Sequence, residues 1–512
     1  MKRLPLVLLS SLVALSGRAA NPATGGRTFS LVSAKEERAI GESAAESVLK
    51  TYGLYKPEGR TARYVVDICQ KIYAQTETAS DPITCNFVDD GTFNASATPG
   101  YMIINRGLLP YMSSEAELAA VLGHEAGHLT GRHINQHATH ARMASIGMLV
   151  LAGVVASQSD SPAATNAALA VGGTGAALGM AAYSRAHETE ADALGRRYME
   201  RLGYDPRESV RMVRGMEMYG NYQDQVSRAL NPANNNVPGL LSRLQSSHPA
   251  TPERIAAAVK ATGEPVPAVP DNDTAGRTRF MDAIQGLAFG PSIKYGVERR
   301  GELVLPRQRV VVPLPESVVT VHTPPAREGE MGNWIIGHPQ SGTRMTVSAV
   351  KLTQGRSPAS LLKEVLPMLN DGVQQMPVWA HGTAAYAHTA TFRYMNSSKR
   401  FRIIALPAAH PVNEVLMFMI SYPDEATQAR EDAGLMTILK GMDYVSEERA
   451  KRYQPQVIYT FRAAAGDTVA NRASKMPMNA LREELFRALN SLQPGEEMVP
   501  GQWYKTIVDP NS

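Results

Sequence analysis

Apolar residues after Ser114 recur with the period of a helix. Leu118, Val121, Leu122, Ala126 and Leu129 fall on one stripe. Ser114-Glu115-Ala116-Glu117 in front of them has the spacing of a capping box, with Ser114 as N-cap and Glu117 three residues on. The pattern predicts a helix that lays one face on a core. Residues 34–76 show the same amphipathic period. Between these stretches, Ile83–Val88 and Asn94–Asn105 read as strands, separated by Asp89-Asp90-Gly91, the second one broken by Pro99-Gly100. A further strong helix is predicted from about Ser184, and another over 206–220.

Two regions depart from this pattern. Residues 144–182 are a run of Ala, Gly, Val, Leu and Met interrupted by Ser157–Pro162. Each apolar half is shorter than a bilayer span. The run reads as a helical hairpin, and two uses stay open: packing, or a flap that meets lipid or an unfolded client. Asn231–Pro238 reads as a loop, and Gly263–Gly276, rich in Pro, Asp and Gly, as a linker centred on 264–276. Beyond it the period changes to short alternating runs (Arg309–Leu314, Met345–Leu352, Phe401–Leu406) with a helix near Ser357–Asn370, predicting a small α+β domain over 277–447. The closing stretch, 456–508, reads strand, helix, helix, strand.

With 512 residues the chain exceeds one ordinary core, and two to four domains are expected. A net charge of +4 is too small for this length to suggest nucleic-acid binding. The first twenty residues read as an export signal: Lys2 and Arg3, an apolar core from Leu4 to Leu15, then small residues around Gly17-Arg18-Ala19-Ala20. No cysteine follows that core, so a lipoprotein is not expected, and the expected location is the periplasm. The two cysteines, Cys69 and Cys85, would then sit in an oxidising compartment. Their spacing allows a disulfide without requiring one.

The chemistry lies in His124-Glu125-Ala126-Gly127-His128. On a helix, i and i+4 share a face, so both imidazoles reach one cation while Glu125 stands beside it as a base. This is the HExxH arrangement of zinc peptidases. A catalytic zinc takes three protein ligands. A histidine ten residues after His124 would continue one pattern, but that position is Ile134, and His133 misses it by one. His133, His137 and His140 therefore read as an exposed tail of the helix. The other option is a carboxylate from a second helix. In Ser184–Asp192, Glu188 and Asp192 lie at i and i+4: Glu188 as ligand, Asp192 as acceptor for the free nitrogen of a ligating histidine.

HEAGH followed by Ser-Arg-x-x-Glu-x-x-Ala-Asp resembles the CAAX prenyl endopeptidase, HtpX and BepA family of zinc metallopeptidases, as do Asn94–Gly100 and Arg106-Gly107-Leu108-Leu109. The resemblance covers about residues 34–260. It implies an α+β chain: a mainly helical gluzincin domain over 21–263 with a small sheet, one Zn2+ on His124, His128 and Glu188, and Glu125 as base. In periplasmic members a His-Pro loop approaches the zinc and holds the enzyme inactive. His248-Pro249 matches that position, with Arg254 nearby, although a plain capped loop histidine is the rival reading. Either His248 or Arg254 is expected to stabilise the oxyanion. Asn94, Ala95, Ser96 and Ala97 are expected to form an edge that pairs with an extended substrate.

One departure stands out: no tetratricopeptide pattern follows. The tail, 455–508, instead resembles a LysM module through Gly466-Asp467-Thr468, Leu489-Asn490 and Pro500-Gly501-Gln502. Such modules bind peptidoglycan-type glycans, and a structural cap is the bland alternative. The expectation is an exported endopeptidase acting on misfolded or unassembled envelope proteins. The alternative is a chaperone-like or peptidoglycan-binding envelope protein with a latched or structural zinc site.

Overall fold

The computed structural model describes residues 17–139, 183–231, 248, 251–265, 273, 275–315, 317–353, 356–365, 374–380, 383–393 and 399–510. The 144–182 hairpin, residues 1–16 of the expected signal, the His248-flanking Pro249 and His140 lie outside this set. Gly17–Ala20 (β1) pairs antiparallel with Arg27–Ser30 (β2). Among the described residues no helix is long and apolar enough to cross a membrane.

The helical stretch expected over 34–76 is two helices, Ala34–Tyr52 (α1) and Arg60–Tyr73 (α2). Gly53 takes a positive φ of 77° between them, a conformation that ends a helix. Ser33 caps α1 through a reciprocal pair with Glu36. The inner face of α2, built of Ala62, Val65, Ile68, Cys69 and Ile72, is buried at helical spacing. It packs on a three-stranded sheet ordered Thr84–Val88 (β3), Tyr101–Asn105 (β5), Ala95–Thr98 (β4). The central β5 pairs parallel with β3 and antiparallel with β4. Cys69 of α2 and Cys85 of β3 are joined as a disulfide across that contact.

The motif helix is Glu115–Thr130 (α3). Ser114 Oγ accepts the N–H of Glu117, whereas the Glu117 carboxylate reaches back one residue further than a regular box, to the N–H of Ser113. Nearly every residue of α3 is buried. It lies against Arg185–Arg201 (α4), and small residues set how closely. A Cβ on Gly123 would stand 2.9 Å from the Gly195 oxygen, and one on Gly127 would stand 2.9 Å from the Ala191 oxygen. Without side chains at these positions the two backbones touch, and Glu188 on α4 comes level with the histidines of α3. Glu208–Leu230 (α5) and Pro252–Thr262 (α6) complete the helical layer.

The α+β expectation for the middle region meets a seven-stranded antiparallel sheet. Its strand order is Gln374–Ala380, Thr383–Arg393, Arg400–Pro407, Glu414–Tyr422, Arg344–Lys351, Asn333–Gly337, Val319–Thr323. Helix Glu425–Leu439 contributes Met436 and Leu439 to the apolar cluster on this sheet.

Packing does not respect the expected linker and tail boundaries. Ala275, Phe280, Met281, Ile284 and Leu287 belong to the same apolar cluster as α2 and α3, and so do Ile458, Phe461, Val469, Phe486 and Tyr504 of the tail. The predicted order in the tail is present: Val457–Arg462, Val469–Ala473, Arg482–Leu489, Trp503–Val508. Two short helices on a two-stranded sheet bury little by themselves. The tail therefore shares the core of the motif domain.

Candidate metal centre

His124 and His128 project from one face of α3 with Nε2 atoms 3.0 Å apart. Glu188 approaches from the first turn of α4, with Oε2 3.5 Å from His124 Nε2 and Oε1 3.4 Å from His128 Nε2. His248 Nδ1 lies 3.2 Å from His124 Nε2 and 2.9 Å from Glu188 Oε1. Among the described residues these four form a group whose donor atoms all lie within 4.8 Å of one another. All except the half-buried His248 are buried.

Does this donor set fit a cation? His124 Nδ1 is 2.8 Å from Asp192 Oδ1. A carboxylate only accepts, so Nδ1 carries the proton and Nε2 presents a lone pair. That lone pair faces further ring nitrogens and a carboxylate oxygen, Glu188 Oε2, which also has the Arg254 guanidinium on its outer side. Lone pairs so close repel unless a positive charge stands among them. A tetrahedral zinc site with bonds of about 2.0–2.1 Å would place its donors ~3.3 Å apart. The donor separations, 2.9 to 3.5 Å, bracket that edge length. Two imidazoles, a third and a carboxylate are zinc-type ligands.

Glu125 is buried beside the group, its Oε1 3.7 Å from His248 Nε2. Burial pushes its carboxyl above the ordinary range, and the nearby His248 and His124 only partly oppose this. Asp192 shows the reverse balance. Burial alone would raise it, but the hydrogen bond from His124 and the pairing with Arg254 outweigh burial and hold it ionised.

Arg254 sits differently from a donor aimed at substrate. Its Nε and Nη2 donate to Asp192 at 2.9 and 2.7 Å, and Nη1 lies 3.1 Å from Glu188 Oε2. It clamps the two acids together from behind. Residues Ala95–Thr98 form the outer strand of the small sheet, so Ala95, Ser96 and Ala97 lie on an edge, with Asn94 just before it. This edge strand packs against α3.

Two placements were not foreseen. Tyr183 stacks on His128 with ring centroids 4.0 Å apart and lies 5.3 Å from His248. A lone tyrosine before Ser184-Arg185 carried no signal for this. His133, expected in an exposed tail, is completely buried, with Nδ1 2.8 Å from His128 Nδ1. Arg132 turns the chain through a positive φ of 54° and folds His133 back under His128, which a helical projection of the sequence could not anticipate. Burial holds its ring down to about 4, so it is neutral near pH 7. His137 is half-buried, its ring 4.9 Å from that of Tyr183.

A family model described as Peptidase family M48 matches residues 60–262, the stretch that contains every residue of the cluster. Over that stretch the chain is similar to peptidase family M48. Among curated relatives, a beta-barrel assembly-enhancing protease of Yersinia pestis is 27% identical over 188 residues, 36% of this chain and 38% of its own length. That of Escherichia coli K12 is 27% identical over 146 residues, 28% of this chain and 30% of its own. The mitochondrial metalloendopeptidase OMA1 of Schizosaccharomyces pombe is 28% identical over 241 residues, 46% of this chain and 63% of its own. The chain thus spans about a third of the length of the assembly-enhancing proteases it matches.

Proposed function

We propose that this chain is an exported zinc-dependent endopeptidase that cleaves misfolded or unassembled envelope proteins, with His248 as a latch on its metal centre. The observation that carries the reading is the convergence of His124, His128 and Glu188 donors from two helices, with buried Glu125 alongside. His124, His128 and Glu188 would hold the metal. When bound, zinc acidifies an attacking water toward pKa ~7 and polarises the scissile carbonyl.

The chain's own residues supply the rest. Glu125 takes the proton from water and passes it to the leaving amine. Its burial raises its proton affinity toward the value a base needs at neutral pH. Asp192 holds His124 in the ligating tautomer, and Arg254 keeps Asp192 and Glu188 oriented. The edge at Asn94–Ala97 offers main-chain hydrogen bonds to an extended substrate. Main-chain pairing reads little sequence, which suits unfolded clients. The relatives named as beta-barrel assembly-enhancing proteases support an envelope setting. Tail residues 455–508 serve this reading as part of the catalytic core, through Ile458, Phe461 and Phe486.

The deciding experiment is metal analysis of the purified chain together with casein cleavage by wild type and Glu125→Gln. Loss of a general base costs about 10²–10⁴ in rate. Stoichiometric zinc with cleavage lost in the variant is expected. Undiminished cleavage by Glu125→Gln, or a chain that takes up no transition metal, overturns the proposal.

A further inference from the structure

His133 is the histidine nearest the cluster that the donor set leaves unused. Its Nδ1 is 2.8 Å from His128 Nδ1, the nitrogen facing away from the other donors. Two ring nitrogens at that distance share one proton, so one donates and the other accepts. Which way round it runs decides whether His128 can ligate. If His133 donated, His128 would carry its proton on Nε2, the atom that faces the other donors. If His133 accepts, His128 Nε2 is free as a ligand and His133 carries its own proton on Nε2.

The far side of His133 selects between the two. His133 Nε2 is buried with no hydrogen-bond partner of full strength, and the nearest acceptor is Glu190 Oε2 at 3.5 Å. Glu190 is held in turn, with its Oε1 accepting from Asn21 Nδ2 at 2.6 Å. A carboxylate favours a protonated nitrogen opposite it. We propose that His133 is a positioning residue for the metal centre: it accepts the Nδ1–H of His128, and Glu190 fixes the His133 tautomer that makes it an acceptor. The inference rests on the zinc reading above. It gives His128 the orienting partner that Asp192 gives His124, with a neutral ring in place of a carboxylate.

The local backbone is built around this ring. A Cβ at Gly131 would come within 2.5 Å of His133 Nε2 and 2.9 Å of its Cε1. Gly131 itself has ordinary helical angles, φ −72° and ψ −11°, so alanine suits the backbone angles there, and the His133 ring is what its Cβ would meet first, ahead of the Gly127 oxygen at 3.0 Å. Arg132, at positive φ, pairs with Glu37 and pins the turn that returns His133 to His128. The His187 ring stacks on the other face, centroids 4.3 Å apart and planes 15° apart.

The test is zinc affinity of the full chain by chelator competition, with thermal melting of the metal-stripped proteins as a control for folding. His133→Leu is expected to weaken zinc by about 10–100-fold, the usual effect of removing a ligand's orienting partner. His133→Asn, whose side-chain oxygen can still accept, is expected to recover part of that loss. Gly131→Ala, which keeps His133 but displaces it, and Glu190→Ala are expected to weaken zinc by smaller factors. Should His133→Leu fail to fold, the last two variants carry the test. Wild-type affinity in all variants overturns the inference, as does an equal loss in His133→Leu and His133→Asn, which would mark mere packing. A wild-type chain that binds no zinc defeats the zinc reading itself, a separate outcome.

Discussion

Oδ1 of Asp192 receives two donors at once: Nδ1 of His124 at 2.8 Å and Nη2 of Arg254 at 2.7 Å. One carboxylate thus fixes the tautomer of His124 while its own position is fixed by a buried guanidinium. Replacing it with asparagine keeps the shape but lets an amide N–H face the imidazole, and it leaves Arg254 without its main counter-charge. Asp192→Asn is therefore expected to lower zinc affinity by about 10–100-fold and activity with it. Chelator competition checks this, and an unchanged zinc constant would contradict the assigned role.

His248 reaches the cluster from a different segment than the other donors, with Nδ1 2.9 Å from Glu188 and Nε2 3.7 Å from Glu125. A fourth protein donor fills the corner that a hydrolytic zinc keeps for solvent. His248→Ala is expected to cleave casein several-fold faster than zinc-loaded wild type while keeping its zinc. Competitive inhibition by a zinc-seeking hydroxamate should tighten in parallel. Falling activity in this variant would assign His248 to catalysis instead of restraint.

Much of this centre is legible from spacing. His124, Glu125 and His128 are one helical turn, and Glu188 and Asp192 are another, so i to i+4 geometry places each set on its own face. The close approach of the two helices is less visible. It depends on Gly123, Gly127 and Gly195, whose missing side chains mean something only once the helices are seen to cross. His133 was misread because Arg132 leaves helical angles, and periodicity cannot register a reversal of the chain. The tail's strand–helix–helix–strand order follows from its pattern, whereas its burial against α2 and α3 is a long-range contact that no local pattern encodes.

The middle domain carries a pH-sensitive contact away from the metal. His322 donates from Nε2 to the Met331 carbonyl at 2.8 Å and stacks on Tyr295. Burial holds its ring down to about 4, from an ordinary value near 6.5. A base depressed in the folded state is uncharged there while the unfolded chain takes up a proton, so the unfolded form gains between these values. Stability from this group is complete above about pH 6.5 and is lost as pH falls toward 4, by at most about 3 kcal/mol. Urea titrations of metal-stripped wild type and His322→Gln between pH 7.5 and 4.5 should show a shallower pH slope in the variant. Identical slopes would remove His322 from the account.

Lys505 ties the tail to the motif helix. It is fully buried, with Nζ donating to the Met112 carbonyl and lying 3.4 Å from Ser113 Oγ, just ahead of the N-cap of α3. Its charge faces Glu117 in the first turn of α3. Burial pushes the lysine below and the glutamate above their ordinary ranges, Glu208 pushing the glutamate further up, and each ion of the pair draws the other back. Removing Lys505 leaves Glu117 buried with only Arg277 to offset its charge, at a cost of up to about 3–5 kcal/mol, whereas replacing both partners with matched apolar or neutral groups is often close to neutral. Lys505→Met should therefore destabilise the chain by about 3 kcal/mol, and Lys505→Met with Glu117→Gln should recover most of that. Because Glu117 accepts the Ser113 N–H and helps start α3, the single variant should also loosen zinc at His124, two turns along the same helix. A double variant as unstable as the single one would show that Lys505 acts by packing alone, with no electrostatic link to the helix that carries His124 and His128.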